Sequence, residues 1–124
     1  MVQHMADPKN LIRKFEYGEQ LKSEVSIANQ LLEQLIGLQD DQFIGGLRIL
    51  ETYLNSLLME IKLAQKVLHS NAIFAQTARK LTEAIGRIAL KEYDEARACF
   101  GEALSDVTTV CAESSEALAK LELM

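Results

Sequence analysis

The best candidates for catalytic residues in this 124-residue chain, by residue type and spacing, are pairs of glutamates three residues apart. Glu16 and Glu19 form one pair, and Glu92 and Glu95 form another. Residues three apart share one face of a helix, and Mg²⁺ prefers carboxylate oxygens as ligands. Two such pairs on facing helices would make a metal site. The alternative is that they line solvated helix faces, since thirteen glutamates produce such spacings by chance.

The histidines and cysteines do not form a second catalytic pattern. His4 and His69 have no further histidine or thiolate at a metal-ligand spacing. Cys99 and Cys111 are twelve residues apart, about 18 Å along one helix, so they cannot form a disulfide with each other. We therefore expect two buried, reduced thiols, no bound metal and no cofactor.

The composition is that of one globular domain over residues 1–124, with 48% apolar and 25% charged residues. No apolar run reaches the roughly 18 residues that a membrane span needs. The opening sequence MVQHMADPKN lacks the apolar stretch of a signal peptide, so a cytoplasmic location is expected. A net charge of −5 argues against a nucleic-acid partner.

Helical periodicity runs through almost the whole chain and divides it into four elements. Pro8 follows Asp7, which is typical of a helix start, and Gly37 predicts a stop in the left-handed conformation. Helix caps are expected at the polar residues between the apolar stripes: Asp40 or Asp41 for the second helix, and Ser70 or Asn71 for the third. We predict helices at 8–36, 41–68, 71–90 and 92–121.

Short connections between long helices make neighbours run antiparallel. The predicted fold is therefore all-α, an antiparallel up-down-up-down four-helix bundle. The inner stripe of the second helix is the most regular in the chain and consists of Phe43, Leu47, Leu50, Leu54, Leu57, Ile61, Ala64 and Leu68. Helix four carries many alanines and serines and one glycine, and these small residues predict a close approach to its neighbours.

The second helix has more apolar residues than one inner stripe requires. Ile49, Tyr53, Leu63 and Val67 follow a second line along its flank. Two interpretations remain open at this point. Either this helix has a wide buried face, or the flank is exposed and binds a second copy or a partner helix.

Charge is distributed unevenly between the last two helices. Residues 70–91 hold four basic residues against one acidic residue, and residues 92–124 hold eight acidic against two basic. The basic residues are Arg79, Lys80, Arg87 and Lys91. They could bind a phosphate or an acidic partner, but we favour complementary faces on antiparallel neighbours.

The segment KEYDEARACFGEAL, residues 91–104, has a recurring order of aromatic, small and aliphatic residues: Tyr93, Ala96, Phe100, Ala103 and Leu104. With the residues from about 84 onward, it resembles the helical hairpin of a tetratricopeptide repeat and the related hairpin of microtubule-interacting and transport domains. Glu83, Ala84 and Arg87 depart from that pattern, and no second copy occurs 34 residues away. The resemblance implies a peptide- or protein-binding module.

Two functions follow as expectations. The first is a protein–protein interaction or assembly subunit without catalytic activity, a homodimer or part of a larger complex, which binds through the four residues of the second flank. The alternative rests on the four paired glutamates, which resemble the magnesium ligands of all-α nucleotide pyrophosphohydrolases and imply a metal-dependent enzyme. That family's accompanying Glu-x-x-Asp pair is missing here. Neither a membrane nor a small-molecule partner is expected.

Overall fold

A computed structural model describes residues 8–68 and 72–121 of the chain. It contains four helices: α1 (Pro8–Ile36), α2 (Asp40–Val67), α3 (Ala72–Ala89) and α4 (Tyr93–Lys120). No strand occurs within those two ranges. The predicted all-α class and the four elements are confirmed, and each helix end lies within one residue of its prediction. His4, Asp7, His69, Ser70 and Asn71 lie outside the described residues.

The four helices are arranged in a ring in which each one packs against two neighbours. α1 contacts α2 and α4, and α3 contacts the same two helices. Antiparallel order is visible between α1 and α4, because Gly18 lies opposite Cys111 whereas Glu33 pairs with Arg97. This arrangement is the predicted up-down-up-down bundle.

The core is a single apolar cluster to which all four helices contribute. Its largest fully buried side chains include Leu21, Leu54, Phe74 and Phe100. The predicted inner stripe of α2 is buried, except that Leu47 is only partly covered. Sequence periodicity therefore identified the side of α2 that faces the core.

α4 makes the closest contacts in the bundle, with α1 on one side and α3 on the other. Its buried face includes small side chains such as Ala96, Ala103 and Ser114. At the contact with α1, a Cβ atom on Gly18 would lie 2.8 Å from Cys111 Sγ. The absence of a side chain at Gly18 thus permits the two backbones to approach, as the small residues of this helix predict.

The turn between α1 and α2 differs from the prediction. The N-cap of α2 is Gln39 and makes no side-chain cap hydrogen bond, so the prediction that Asp40 or Asp41 caps this helix is wrong. The left-handed conformation predicted for Gly37 is also wrong, because Asp40 adopts it instead, with φ 52°. The Leu38 amide donates to the Leu35 carbonyl at 3.0 Å and closes the end of α1 without a left-handed glycine.

The turn between α3 and α4 has the hydrogen bonds of a common helix C-terminus, but its left-handed residue is a lysine and not a glycine. Lys91 has φ 59°, and the Glu92 amide donates across it to the Arg87 carbonyl at 2.9 Å. This bond pattern normally places glycine at the left-handed position. The turn fixes the antiparallel return of α4 along α3.

None of the helices described is long and apolar enough to cross a membrane.

Candidate functional site

The flank of α2 predicted from its surplus apolar residues is largely exposed. Ile49 is 67% exposed, Leu63 61% and Val67 51%, whereas Tyr53 is partly buried. We call these four residues the second stripe. A wide buried face therefore does not account for Ile49, Leu63 and Val67, and the second stripe is a surface of the monomer.

The second stripe lies on the side of α2 that borders α1. The Tyr53 hydroxyl donates a hydrogen bond to the Glu24 backbone carbonyl at 3.2 Å, which ties the middle of the stripe to α1. Ser56 and Glu60 continue the same line between Tyr53 and Leu63, so the full spacing along the helix is four, three, four, three, four. The line is apolar toward both ends and polar in its centre.

A groove lies between α1 and α2 at each end of this line. The larger groove, of about 420 Å³, is formed by Tyr17 and Arg13 of α1 with Leu63 and Val67 of α2, and we call it the Leu63 groove. Near the other end, Leu31 and Leu38 face Ile49 across a second groove of about 140 Å³, the Ile49 groove. Both grooves exist because α1 and α2 pack less closely than the helix pairs that include α4.

A pair of carboxyl groups lies beneath the centre of the stripe. Burial, and then the hydrogen bond and negative charge of Glu60, raise the pKa of Glu24 to about 7. Glu24 Oε1 and Glu60 Oε2 are both inaccessible to solvent and meet no donor. Two ionised carboxylates can only accept, so a proton on Glu24 would supply the donor that these two buried oxygens lack.

Two tyrosines flank these carboxyl groups. Burial, followed by the charges of Glu60 and Glu24, raises the pKa of Tyr17 far above its usual value, and burial also raises that of Tyr53. The Tyr17 ring packs edge-to-face on Phe74, with ring centroids 5.4 Å apart. These tyrosines therefore remain protonated and act as packing groups with a polar end.

Two neighbouring carboxyl groups, one of them with a raised pKa, have the composition of an acid–base centre. Among the described residues, no three His, Cys, Asp or Glu side chains come together in a way that could hold a metal ion. The nearest polar groups are the two tyrosines and Gln20, whose hydrogen bond lowers the pKa of Glu24 and so opposes the effect of burial. This geometry supports a polar contact between α1 and α2 in which burial raises the pKa of Glu24.

The four glutamates of the alternative prediction are not brought together. Glu19 pairs with Lys22 at 3.1 Å on the part of α1 that faces the Cys111 region of α4. Glu92 pairs with Arg87 at 3.0 Å at the start of α4. The antiparallel register separates Glu16 and Glu19 from Glu92 and Glu95 by about 25 Å along the bundle. They cannot share a metal ion in this fold.

Lys80 and Arg87 of α3, and Lys91 in the turn that follows it, make contacts within the molecule, whereas Arg79 is exposed. Lys80 pairs with Glu102 of α4, and Arg87 contacts both Glu92 and Glu83. Lys91 places its ammonium group 4.5 Å from the centre of the Phe43 ring. The pairs Lys80–Glu102 and Arg87–Glu92 agree with the prediction of complementary faces on α3 and α4.

Both cysteines are buried and free, as predicted. Burial is the main cause that raises the pKa of each thiol to about 11. A thiol with such a pKa is almost entirely protonated at neutral pH and reacts slowly as a nucleophile. Cys99 and Cys111 are therefore packing residues of α4.

Sequence reasoning did not find Glu24, Glu60 or Tyr17 as a group. The sequence does show that Glu60 follows the helical spacing of the second stripe. It does not show that Glu60 lies near Glu24 and Tyr17, because that contact depends on the register between α1 and α2.

Comparisons of the chain with protein-family models, with curated proteins and with solved structures gave no match. The resemblances to a tetratricopeptide hairpin and to the pyrophosphohydrolases thus stay predictions.

Proposed function

We propose that this chain is a small cytoplasmic protein-interaction or assembly subunit without catalytic activity of its own. The observation that carries the proposal is the exposure of Ile49, Leu63 and Val67 on one flank of α2, next to two apolar grooves. Full burial of such a side chain contributes roughly 1.5–3 kcal/mol. A partner that covers the flank would therefore gain substantial binding free energy from three anchors.

The position of these anchors on one face of α2 favours recognition by another helix. Ile49 lies fourteen residues before Leu63, and Val67 lies four residues after it, so all three share one side of α2 against which a partner helix could pack. By contrast, the charged residues considered for anion binding are partly occupied by internal ion pairs, as Lys80 and Arg87 show. The second stripe is thus the surface best suited to a partner, and the tetratricopeptide-like hairpin would belong to the supporting scaffold.

Site-specific photocrosslinking tests this proposal. A photoreactive benzoylphenylalanine in place of Leu63 should give a discrete higher-mass adduct in extracts of the source cells. Adding Ile49→Asp to the same chain should abolish that adduct, because the charge would lie on the same contact surface. Circular dichroism should show unchanged helicity, since both positions are exposed.

Ile44 provides a matched control position. It is 50% exposed on α2 but lies about 140° around the helix from Ile49. The same photoreactive residue at Ile44 should give no discrete adduct. Equal crosslinking at the two positions, or none at Leu63, would contradict an interaction role for the second stripe.

A further inference from the structure

We propose that Glu60 is a pH-operated gate of the Leu63 groove. While Glu24 carries a proton, the Glu60 carboxyl group stays against it; when both groups are ionised, the Glu60 carboxylate turns away from Glu24 and into the groove. The gate is a property of this chain alone, whereas its effect on a partner rests on the proposed function. The inference is carried by the position of Glu60, which belongs both to the carboxyl pair and to the wall of the groove.

Glu60 has two environments within reach of its side chain. Its Oε2 atom is inaccessible to solvent beside Glu24, and the same residue lines the Leu63 groove together with Leu63 and Val67. The end of a glutamate side chain turns about single bonds between several rotamers, and its last torsion is broad. The carboxyl group can therefore pass from the first environment to the second without a movement of the backbone.

The contact between Glu24 and Glu60 holds only while one of them carries a proton. Both Glu24 Oε1 and Glu60 Oε2 are buried and meet no donor. Two ionised groups in this position would repel each other and would both lack hydration, whereas a proton on Glu24 removes the repulsion and supplies a donor. The pKa of Glu24, which burial raises to about 7, agrees with this geometry. Ionisation of the pair thus favours the groove, where water can reach the Glu60 carboxylate.

The charged groups of the other two helices act away from the carboxyl pair. α4 packs against α1, but its Arg97 is held by Glu33, which lies nine residues after Glu24 and so half a turn round the helix from it. α3 packs against α2, but its Lys80 and Arg87 pair with side chains that follow it in the chain, and Arg79 is exposed. These cations therefore do not offset the charge of an ionised pair.

The groups that face the pair from α1 and α2 favour the same gate. Burial raises the pKa of both Tyr17 and Tyr53, so neither adds a charge near neutral pH. Arg13, one turn before Tyr17, lines the Leu63 groove and would attract a carboxylate that enters it. Glu16 lines the groove as well and offsets part of this attraction.

The gate changes the chemistry of the groove. With the proton in place, the Glu60 carboxyl group lies against Glu24, and Leu63 and Val67 border a mainly apolar space. With the pair ionised, a negative charge enters that space, and an apolar side chain of a partner would have to displace or desolvate it. A partner with an apolar anchor should thus bind more weakly as the pH rises through about 7.

Side-chain NMR of the intact chain tests the gate without a partner. The methyl signals of Leu63 and Val67 should shift between pH 5 and pH 8 with one midpoint near 7, equal to the midpoint of the Glu24 carboxyl carbon. Nuclear Overhauser contacts from the Glu60 side chain to the Leu63 methyl groups should be at least twofold stronger at pH 8 than at pH 5. The Ile49 methyl signals, in the other groove, should show no such midpoint.

Three variants assign the effect to the carboxyl pair. Glu24→Gln keeps a donor beside Glu60 at every pH, so the midpoint near 7 should disappear from the Leu63 and Val67 signals. Glu60→Gln should also remove it, because no charge is left to enter the groove. Glu33→Gln is the matched control on α1 and should leave the midpoint unchanged.

The outcomes separate the gate from the proposed function. Leu63 and Val67 signals that do not titrate between pH 5 and pH 8 would overturn the gate, even if Glu24 itself titrates. A midpoint near 7 that persists in Glu24→Gln would do the same. Both results leave the interaction role intact, since the photocrosslink at Leu63 tests that role at a single pH. A titrating groove in a chain whose Leu63 forms no adduct would support the gate and contradict only the proposed function.

Discussion

α2 and α4 have the same length, 28 residues, but they hold the bundle together in different ways. The buried face of α4 mixes larger residues with several small ones, and its backbone approaches both neighbours closely. The buried face of α2 consists of phenylalanine, leucine and isoleucine apart from Ala64, and its contacts with neighbouring backbones are looser. Large side chains keep helix axes apart, and the space between α1 and α2 is where both grooves form.

The difference shows where the monomer leaves apolar surface uncovered. Five large apolar residues of α2 are exposed, namely Ile44, Ile49, Met59, Leu63 and Val67, whereas none within α4 is. α4 lies on the ring like the other helices, but it packs closely against both neighbours and exposes no large apolar residue. α2 has one side that belongs to the core and a second side that a partner could cover. Exposed large apolar residues are therefore more numerous on α2 than on any other helix described.

The largest expected effect is on the free energy of unfolding, and it distinguishes the buried side of α2 from its exposed side. Leu54 is fully buried, and Leu54→Ala should lower the free energy of unfolding by about 2–5 kcal/mol through lost burial and a new cavity. Leu63→Ala removes the same atoms from an exposed position and should change the stability of the monomer by about 0.5 kcal/mol or less. Urea denaturation at a protein concentration low enough to populate monomer measures both values. Equal losses would mean that Leu63 is a core residue and would refute the surface assignment.

The second effect concerns the close contact of α4 with α1. Gly18→Ala should cost about 1–3 kcal/mol, because the new methyl group would lie 2.8 Å from Cys111 Sγ. Combining it with Cys111→Ala removes the clashing atom, so the double variant should be more stable than the sum of the single changes predicts. Urea midpoints of the four proteins complete the cycle.

Gly101 gives the control for this cycle. It lies within α4, but a Cβ atom there would meet open space. Gly101→Ala should therefore raise stability by up to about 1 kcal/mol through helix propensity alone. A similar gain at Gly18 would show that α1 and α4 are not in tight contact there.

The helices were predictable because the helical period of the apolar residues runs through each of them and breaks between them. Pro8 starts α1 at the predicted residue, and the inner stripe of α2 identifies its core side. The turn geometry was less predictable, since Asp40 and Lys91 adopt left-handed conformations that glycine usually occupies. Tertiary closure of the two turns outweighs the local preference of these residues.

The candidate site was predictable only in part, for a related reason. Periodicity gives the residues that share the flank of α2, but it leaves open whether they are buried, and the exposure of Ile49, Leu63 and Val67 decides for a surface. The pairing of Glu24 with Glu60 depends on how far α1 is shifted along α2, and no pattern within either helix encodes that shift. A carboxyl pair formed between two helices is thus visible only after the bundle has been assembled.

The smallest expected effect concerns this carboxyl pair and depends on pH. Because the pKa of Glu24 is raised from its ordinary value near 4.5 to about 7, the folded state binds the proton more tightly than the unfolded state. The resulting stabilisation is complete below about pH 4.5 and is lost as the pH rises through 7. Glu24→Gln keeps an uncharged side chain at every pH, so its stability relative to the wild type should increase between pH 5 and pH 8. After solvent screening, we expect a change of about 1 kcal/mol or less.

Glu33 on the same helix supplies a control of opposite sign. The Arg97 guanidinium donates to its carboxylate at 2.6 and 2.9 Å and lowers the pKa of Glu33. The stabilisation from Glu33 is therefore present above its ordinary pKa and is lost only in acid. Between pH 5 and pH 8, the stability difference between Glu33→Gln and the wild type should stay constant, while that of Glu24→Gln changes. Parallel pH profiles for the two variants would show that Glu24 is ionised in the folded chain, and that the α1–α2 contact does not depend on a shared proton.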